Sequence, residues 1–479
     1  MTSFTASKNT QLKIESNLLN LPLISNLPFW PSPNGYRDIS LGLERVKELL
    51  ERVGNPEKKI SNVIHLAGTN GKGSTLSFVK NILTAHGFSV NCYISPHLVY
   101  FNERIIINNN MAPTSALNNA LEFCKLASEL EPKLSISFFE GITVASLLLF
   151  AENPSDFLLL ETGMGGRLDA TNVFEKILCA VITPISLDHQ EYLGNNLLDI
   201  AKEKLAIIKS GCAVVISKQN QEVMELFQKQ YAGLSSISLI FDKDFSIKKN
   251  DNGFEYCNTK PHNNLISARK IKIANINMLG EHQAENVATA IATAKVVFSQ
   301  LSIASDDDKI SKAIAKTKWP ARLQKISGKK IAENFDESVV NATEFIVDGS
   351  HNPAGAETLM NFIENYRQKY RQAKIIMIYA SLQDKNYRYF IENNAPLVDY
   401  FISCNIENEP KSCKAEDLAN FANNYCFSLS SANLQQGVEF ANSYLVKNLG
   451  HSNNLVIFTG SLYFAGEVLT FFEVSDSQR

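Results

Sequence analysis

The sequence predicts an α/β protein of two domains, each a mainly parallel sheet covered by helices. Three observations carry this. From residue 61 onward, short apolar runs alternate with amphipathic ones, as strands joined by helical crossovers do. The alternation restarts near Trp319-Pro320. The chain has 479 residues, more than the roughly 250–300 at which a single core stops growing. The boundary is set at the restart, giving domains 1–318 and 319–479.

The first domain opens with a strand over 63–66, a helix over 72–85 and a strand over 90–94. A buried helix over 138–151 and a strand over 157–160 follow, then strand 177–183, helix 197–209 and strand 213–216. Residues 241–276 differ: alternating runs such as Phe254-Glu255-Tyr256 predict a small antiparallel patch, before a helix over 281–298. The second domain reads as strand 345–347, helix 353–366, strands 375–379 and 400–403, helix 434–446, strand 455–459 and a closing helix 462–471. The polar stretch 328–343 reads as an exposed excursion.

Composition excludes several classes. A net charge of −3, with no Lys/Arg-rich run, gives no footing for nucleic acid. The eight cysteines form no C-x-x-C pair, and several lie in apolar runs, so buried free thiols in a reducing cytoplasm are expected. The apolar part of the N-terminus, 18–30, is broken by Asn20, Pro22, Ser25, Asn26 and Pro28. It reads as neither a secretory signal nor a membrane span.

The chemistry begins at Gly68-Thr69-Asn70-Gly71-Lys72-Gly73-Ser74, between the first strand and its helix. Glycines let backbone N–H groups crowd a phosphate, the helix N-terminus adds positive potential, and Lys72 adds a charge. Ser74 is the hydroxyl for Mg²⁺. A tight turn with a surface lysine is the bland alternative, and three glycines with a lysine make it the weaker one. The spacing is unusual, because Gly73 separates Lys72 from Ser74 where the common phosphate loop has them adjacent.

Glu161 ends a buried strand and precedes Thr162-Gly163-Met164-Gly165-Gly166. A carboxylate there sits at the edge where α/β sheets bind ligands, and it reads as a metal ligand or as an ordinary strand-end acid. His189, after another strand, is a metal ligand or a satisfied hydrogen-bonding residue. Glu203-Lys204 on a helix reads, by itself, as a solvated face. Asp348-Gly349-Ser350-His351-Asn352-Pro353 is a capped helix entry or a ribose and base contact. Arg322 stands at the domain junction, where it could reach phosphates on closure.

Together these segments, with Ser95-Pro96-His97-Leu98, resemble the folylpolyglutamate synthase/dihydrofolate synthase family of the Mur ligase superfamily over roughly residues 40–465. The extra Gly73 is the form of the loop those ligases use. The resemblance implies a P-loop ATPase-like first domain and a smaller Rossmann-like second one. It implies an ATP-dependent amide ligase joining L-glutamate to dihydropteroate, or to the glutamate tail of folates, through an acyl phosphate. Thr69, Asn70, Gly71, Lys72, Gly73 and Ser74 would hold phosphates; Asn286, Asp348 and His351 the adenosine; Arg322 a phosphate from the second domain. Ser74 and Glu161 would bind one Mg²⁺, and His189 with a carbamylated Lys204 a second. Phe139 would stack on the pterin and Asp169 hydrogen-bond to it. K⁺ is a further candidate cofactor, and a cytoplasmic monomer without membrane partners is expected. The chain departs from the family pattern at Leu205-Ala206, Ser350 and Asn386. A muramyl-peptide ligase is the alternative within the superfamily; about sixty residues before the loop leave little room for its extra domain. A P-loop NTPase or kinase is the alternative outside it.

Overall fold

Continuous apolar runs become strands buried on both faces. In the computed structural model, which describes residues 30, 42–258, 270–448 and 452–473, the first sheet holds β1 (Val63–Ala67), β2 (Val90–Tyr93), β3 (Ile105–Ile107), β4 (Asn110–Met111), β5 (Phe157–Glu161), β6 (Cys179–Ile182), β7 (Ala213–Ile216) and β8 (Ile237–Ile240). Their order is β4-β3-β2-β5-β1-β6-β7-β8. The six strands from β2 to β8 run parallel, while β3 and β4 return antiparallel at one edge. Alternate residues separate two cores. Val63, Leu158, Ala180 and Val214 join one; Ile64, Leu159, Val181 and Val215 join the other. That division requires helices on both faces. Lys72–Ala85 and His282–Gln300 cover the second core; Thr114–Ser128 and Phe138–Glu152 cover the first.

The expected antiparallel patch is β9 (Phe245–Asn250), β10 (Gly253–Asn258) and β11 (Lys270–Ile273). It lays Phe245, Tyr256, Ile271 and Ile273 on the second core. A further sheet follows: β12 (Gln324–Ile326), β13 (Thr343–Val347), β14 (Ile375–Tyr379), β15 (Tyr400–Ser403), β16 (Ser428–Ser430) and β17 (Asn454–Thr459), in the order β12-β13-β17-β14-β15-β16. Only β12 is antiparallel. This sheet too divides two cores, of which one takes in Leu98 and Val99 from the first half of the chain.

The excursion expected over 328–343 is exposed along one side only. It forms two short helices, Lys329–Asn334 and Glu337–Asn341, and buries Ile331, Phe335 and Val339. Those residues recur every four positions, so one face is apolar although the segment as a whole is polar. The helix expected over 197–209 stops at Leu205. Among the described residues no helix is long and apolar enough to cross a membrane. The N-terminal stretch read above lies, apart from Trp30, outside the described residues. The eight cysteines are free thiols, six of them buried.

Candidate active site

The loop after β1 is braced from behind and open in front. Thr69 and Asn70 donate their N–H groups to Pro184 O at 2.9 and 3.2 Å, and the Thr69 hydroxyl donates to Ser186 O at 2.9 Å. The loop is thereby fastened to the one that follows β6. Gly71, at φ +81°, is the N-cap of the Lys72–Ala85 helix, and among the described residues no side chain caps it. The first N–H groups of that helix are therefore left for an anion. Gly73 has a second role: a Cβ there would lie 2.7 Å from the Trp319 ring. The residue that made the motif irregular is where the domain junction rests on the phosphate loop.

Two lysines meet behind the loop. Lys72 Nζ donates to Gly68 O at 3.1 Å and Thr69 O at 3.3 Å, and Lys204 Nζ donates to the same Gly68 O at 2.9 Å. Lys204 is only 4 % exposed. Burial, then the neighbouring Lys72, lowers its pKa to about 7, against the pull of Asp188, Asp169 and Glu203. The solvated face expected from composition alone is therefore wrong for this residue. Glu203 does face outward, bonded to Arg167 Nε at 2.8 Å. Leu205, larger than the family pattern has it, points into the first core.

Glu161 ends β5 with its side chain buried and, among the described residues, accepts one bond, from Ser95 N–H at 3.3 Å. Burial raises its pKa, opposed by Lys72, that N–H, Arg322 and Arg104. Ser74 is buried in the first turn of the loop helix. His189, at φ +50°, opens the short Gln190–Leu193 helix with its ring 3.8 Å from the Asp188 carboxylate. Among the described residues no three His, Cys, Asp or Glu side chains could hold a metal together. A hydroxyl and a lone, under-bonded carboxylate suit Mg²⁺, which draws most of its ligands from phosphate and water.

The Phe139 ring lies against Gly163, where a Cβ has no room. Asp169 is buried and accepts from Met164 N at 2.8 Å, from Thr171 N at 3.0 Å and from the Thr171 hydroxyl. Its carboxylate thus pins the loop that follows β5. Both residues line one end of a cleft of about 1500 Å³.

The second domain supplies the opposite wall. Ala321 and Leu323 take positive φ values of 54° and 47°, a conformation that needs support from its surroundings. Leu323 N–H donates to Asp348 at 2.8 Å and Gly349 N–H to Ala321 O at 2.9 Å. The other Asp348 oxygen takes Ser350 N–H at 2.9 Å, so this acid orders the junction that carries Arg322. His351 Nδ1 lies 2.8 Å from Gly349 O, and burial, then Lys385, lowers its pKa to about 4. Asn286 packs on Gly71 and receives the Thr75 hydroxyl at 3.4 Å. The cleft brings together all the site residues read from the sequence except Lys204, which lies behind the loop.

Three side chains that tie the walls together were not singled out. Asp188 accepts from Lys385 Nζ at 3.1 Å and from Asn352 Nδ2 at 3.3 Å, and Asn352 also donates to Asn70 at 3.0 Å. Burial works to raise the Asp188 pKa, but Lys385, His189 and His351 hold it well below the usual carboxylate range. Asp188 adjoins His189 and Lys385 adjoins Asn386 in the sequence; the signal lacking was their pairing across the domains.

Comparisons with known proteins identify the family. Residues 66–294 match the Mur ligase middle domain and residues 331–471 the dihydrofolate synthetase C-terminal domain. The dihydrofolate synthase/folylpolyglutamate synthase of Bacillus subtilis is 30 % identical over 453 residues, 89 % of this chain and 94 % of that one. Escherichia coli FolC in complex with DHPP and ADP superposes with a TM-score of 0.76 at 25 % identity, covering 91 % and 94 % of the two chains. The Yersinia pestis bifunctional enzyme, complexed with AMPPNP and a Mn ion, gives 0.74 at 25 % identity over 91 % and 95 %. The chain belongs to the dihydrofolate synthase/folylpolyglutamate synthase family.

Proposed function

We propose that the chain joins the amine of L-glutamate to the carboxylate of dihydropteroate, or of a folate's glutamate tail, at the expense of ATP. The observation that carries this is the shared cleft: the uncapped phosphate loop and the Arg322–His351 wall face one space that continues to Phe139 and Asp169. A carboxylate does not acylate an amine directly, because oxide is a poor leaving group. Transfer of the γ-phosphoryl group to it gives an acyl phosphate, which the glutamate amine attacks with loss of phosphate. The protein's part is positioning and charge neutralisation. Residues 69–74 hold the phosphates, Arg322 adds a second cation from the junction, and Asn286, Asp348 and His351 take the adenosine. Phe139 and Asp169 orient the pterin. Closure of the two walls, through Asp188, Lys385 and Asn352, keeps water from the acyl phosphate.

Ser74 and Glu161 would hold a divalent cation, which when bound neutralises triphosphate charge; His189 and Lys204 would serve a second. Lys204 suits carbamylation, since two ammonium groups converging on Gly68 O repel, whereas a carbamate beside Lys72 would attract it. K⁺ rests on the family resemblance alone. We take 1–318 as the ATP and pterin domain and 319–479 as the glutamate ligase domain. We read the working unit as a monomer, because one chain supplies both walls, and the free thiols suit the cytoplasm.

ADP release tests the reading. With ATP, Mg²⁺ and glutamate, dihydropteroate or tetrahydrofolate should raise ADP formation well above that with ATP alone; no increase with either acceptor refutes it.

A further inference from the structure

One charged side chain of the cleft wall has no role above. Arg104 is 3 % exposed, yet it lines the cleft. Because β3 runs antiparallel to β2, it begins where β2 ends: Ile105 pairs with Tyr93, and Tyr93 with Leu160. Arg104 therefore stands at the sheet edge that carries Ser95 and Glu161. Its Nε donates to His97 Nδ1 at 2.9 Å. Burial, then Arg104 itself, lowers the His97 pKa to about 3, so the imidazole is a neutral acceptor. The guanidinium carbon sits 5.6 Å from the Phe101 ring centre and 5.7 Å from that of Phe138. Nη1 and Nη2 have no hydrogen-bond partner among the described residues, and no carboxylate forms an ion pair with Arg104 there. Glu161 feels its field but makes no bond to it.

A buried cation without a counter-ion is costly. A planar fork with two free edges is shaped for a carboxylate. Position decides which one. Along the sheet edge the phosphate loop follows β1, Glu161 ends β5, Ser95 follows β2 and Arg104 precedes β3. Three strand spacings place β3 about 14 Å from β1, too far for Arg104 to serve the phosphates held by the loop. It lies instead beside the helix start that presents Phe138 and Phe139.

We propose that Arg104 anchors the acyl substrate: its two free Nη groups grip the carboxylate that is to be phosphorylated and hold it between the Phe139 pocket and the phosphate loop. This rests on the ligase reading and names the group that presents the nucleophile. His97 and the two rings fix the fork in place.

The test is a pair of titrations into enzyme loaded with ADP and Mg²⁺, one with dihydropteroate and one with its carboxamide. Wild type should bind the acid at least tenfold more tightly. In Arg104→Gln and Arg104→Met the ratio should fall to within twofold, through weaker binding of the acid alone, with amide and ADP affinities unchanged. Arg104→Lys, which keeps the cation over the rings, should leave a ratio of two- to fivefold and serves if the neutral variants do not fold. A tenfold preference retained in any of these variants, equal loss of acid and amide, or no preference in wild type overturns the anchor. ADP formation by wild type separates the two readings: turnover with an unmoved ratio sinks the anchor alone, and absence of turnover sinks the ligase and the anchor with it.

Discussion

Lys72 and Lys204 converge on one carbonyl, and only the first could be weighed from its own motif. A lysine in a glycine-rich turn declares an anion; a lysine in Glu-Lys-Leu-Ala on a helix declares nothing until its burial is known. Lys204→Ala should lower kcat by two orders of magnitude or more, and short-chain carboxylates should restore part of it; turnover like that of wild type would dismiss a carbamate. His351→Ala should raise the KM for ATP several-fold with kcat less affected, since the imidazole lines the cleft on the wall proposed to take the adenosine. An unchanged KM would favour a plain NTPase that leaves the second domain idle. Asp348 and Asp169 show what residue-level reading could not give. Both were legible as site acids, but their carboxylates also brace a junction and a loop, which depends on where backbone N–H groups fall.

Strands buried on both faces were legible because nothing polar interrupts them: Ala213–Ile216, Ile375–Tyr379 and Tyr400–Ser403 have the expected bounds. Helix Lys72–Ala85 does too, since its start is fixed by the glycine turn. The pair of helices in 329–341 was missed because a few apolar residues in a polar stretch look sparse until Ile331, Phe335 and Val339 are placed on one face. Phe335 is 3 % exposed, with its ring 4.6 Å from that of Phe345. Phe335→Ala should cost about 3–5 kcal/mol, read as a lower urea midpoint; a cost under about 1 kcal/mol would restore the exposed excursion.

Across the whole molecule, the sequence marked both walls of the site but not how they meet, since the contacts join residues far apart in the chain. Global stability also depends on groups hidden within the sheets. His65, in β1, is fully buried with Nε2 2.9 Å from the Thr171 hydroxyl. Burial, then Lys209, lowers its pKa to about 3. The unfolded chain takes up that proton below about pH 6.5 and the folded one does not, so stability from this site is intact above that pH and is lost as pH falls toward 3. His65→Gln should be less stable than wild type at pH 7.5, and the gap should shrink by about 2 kcal/mol at pH 5; a constant gap would mean the imidazole is not held neutral. The contact of Gly73 with Trp319 has an optical consequence. The chain has two tryptophans, and one of them rests its indole on the loop proposed to receive the triphosphate. In Trp30→Phe, emission comes from that single ring, and titration with ATP should shift it in step with loading, so that the enzyme carries its own fluorescent gauge of occupancy.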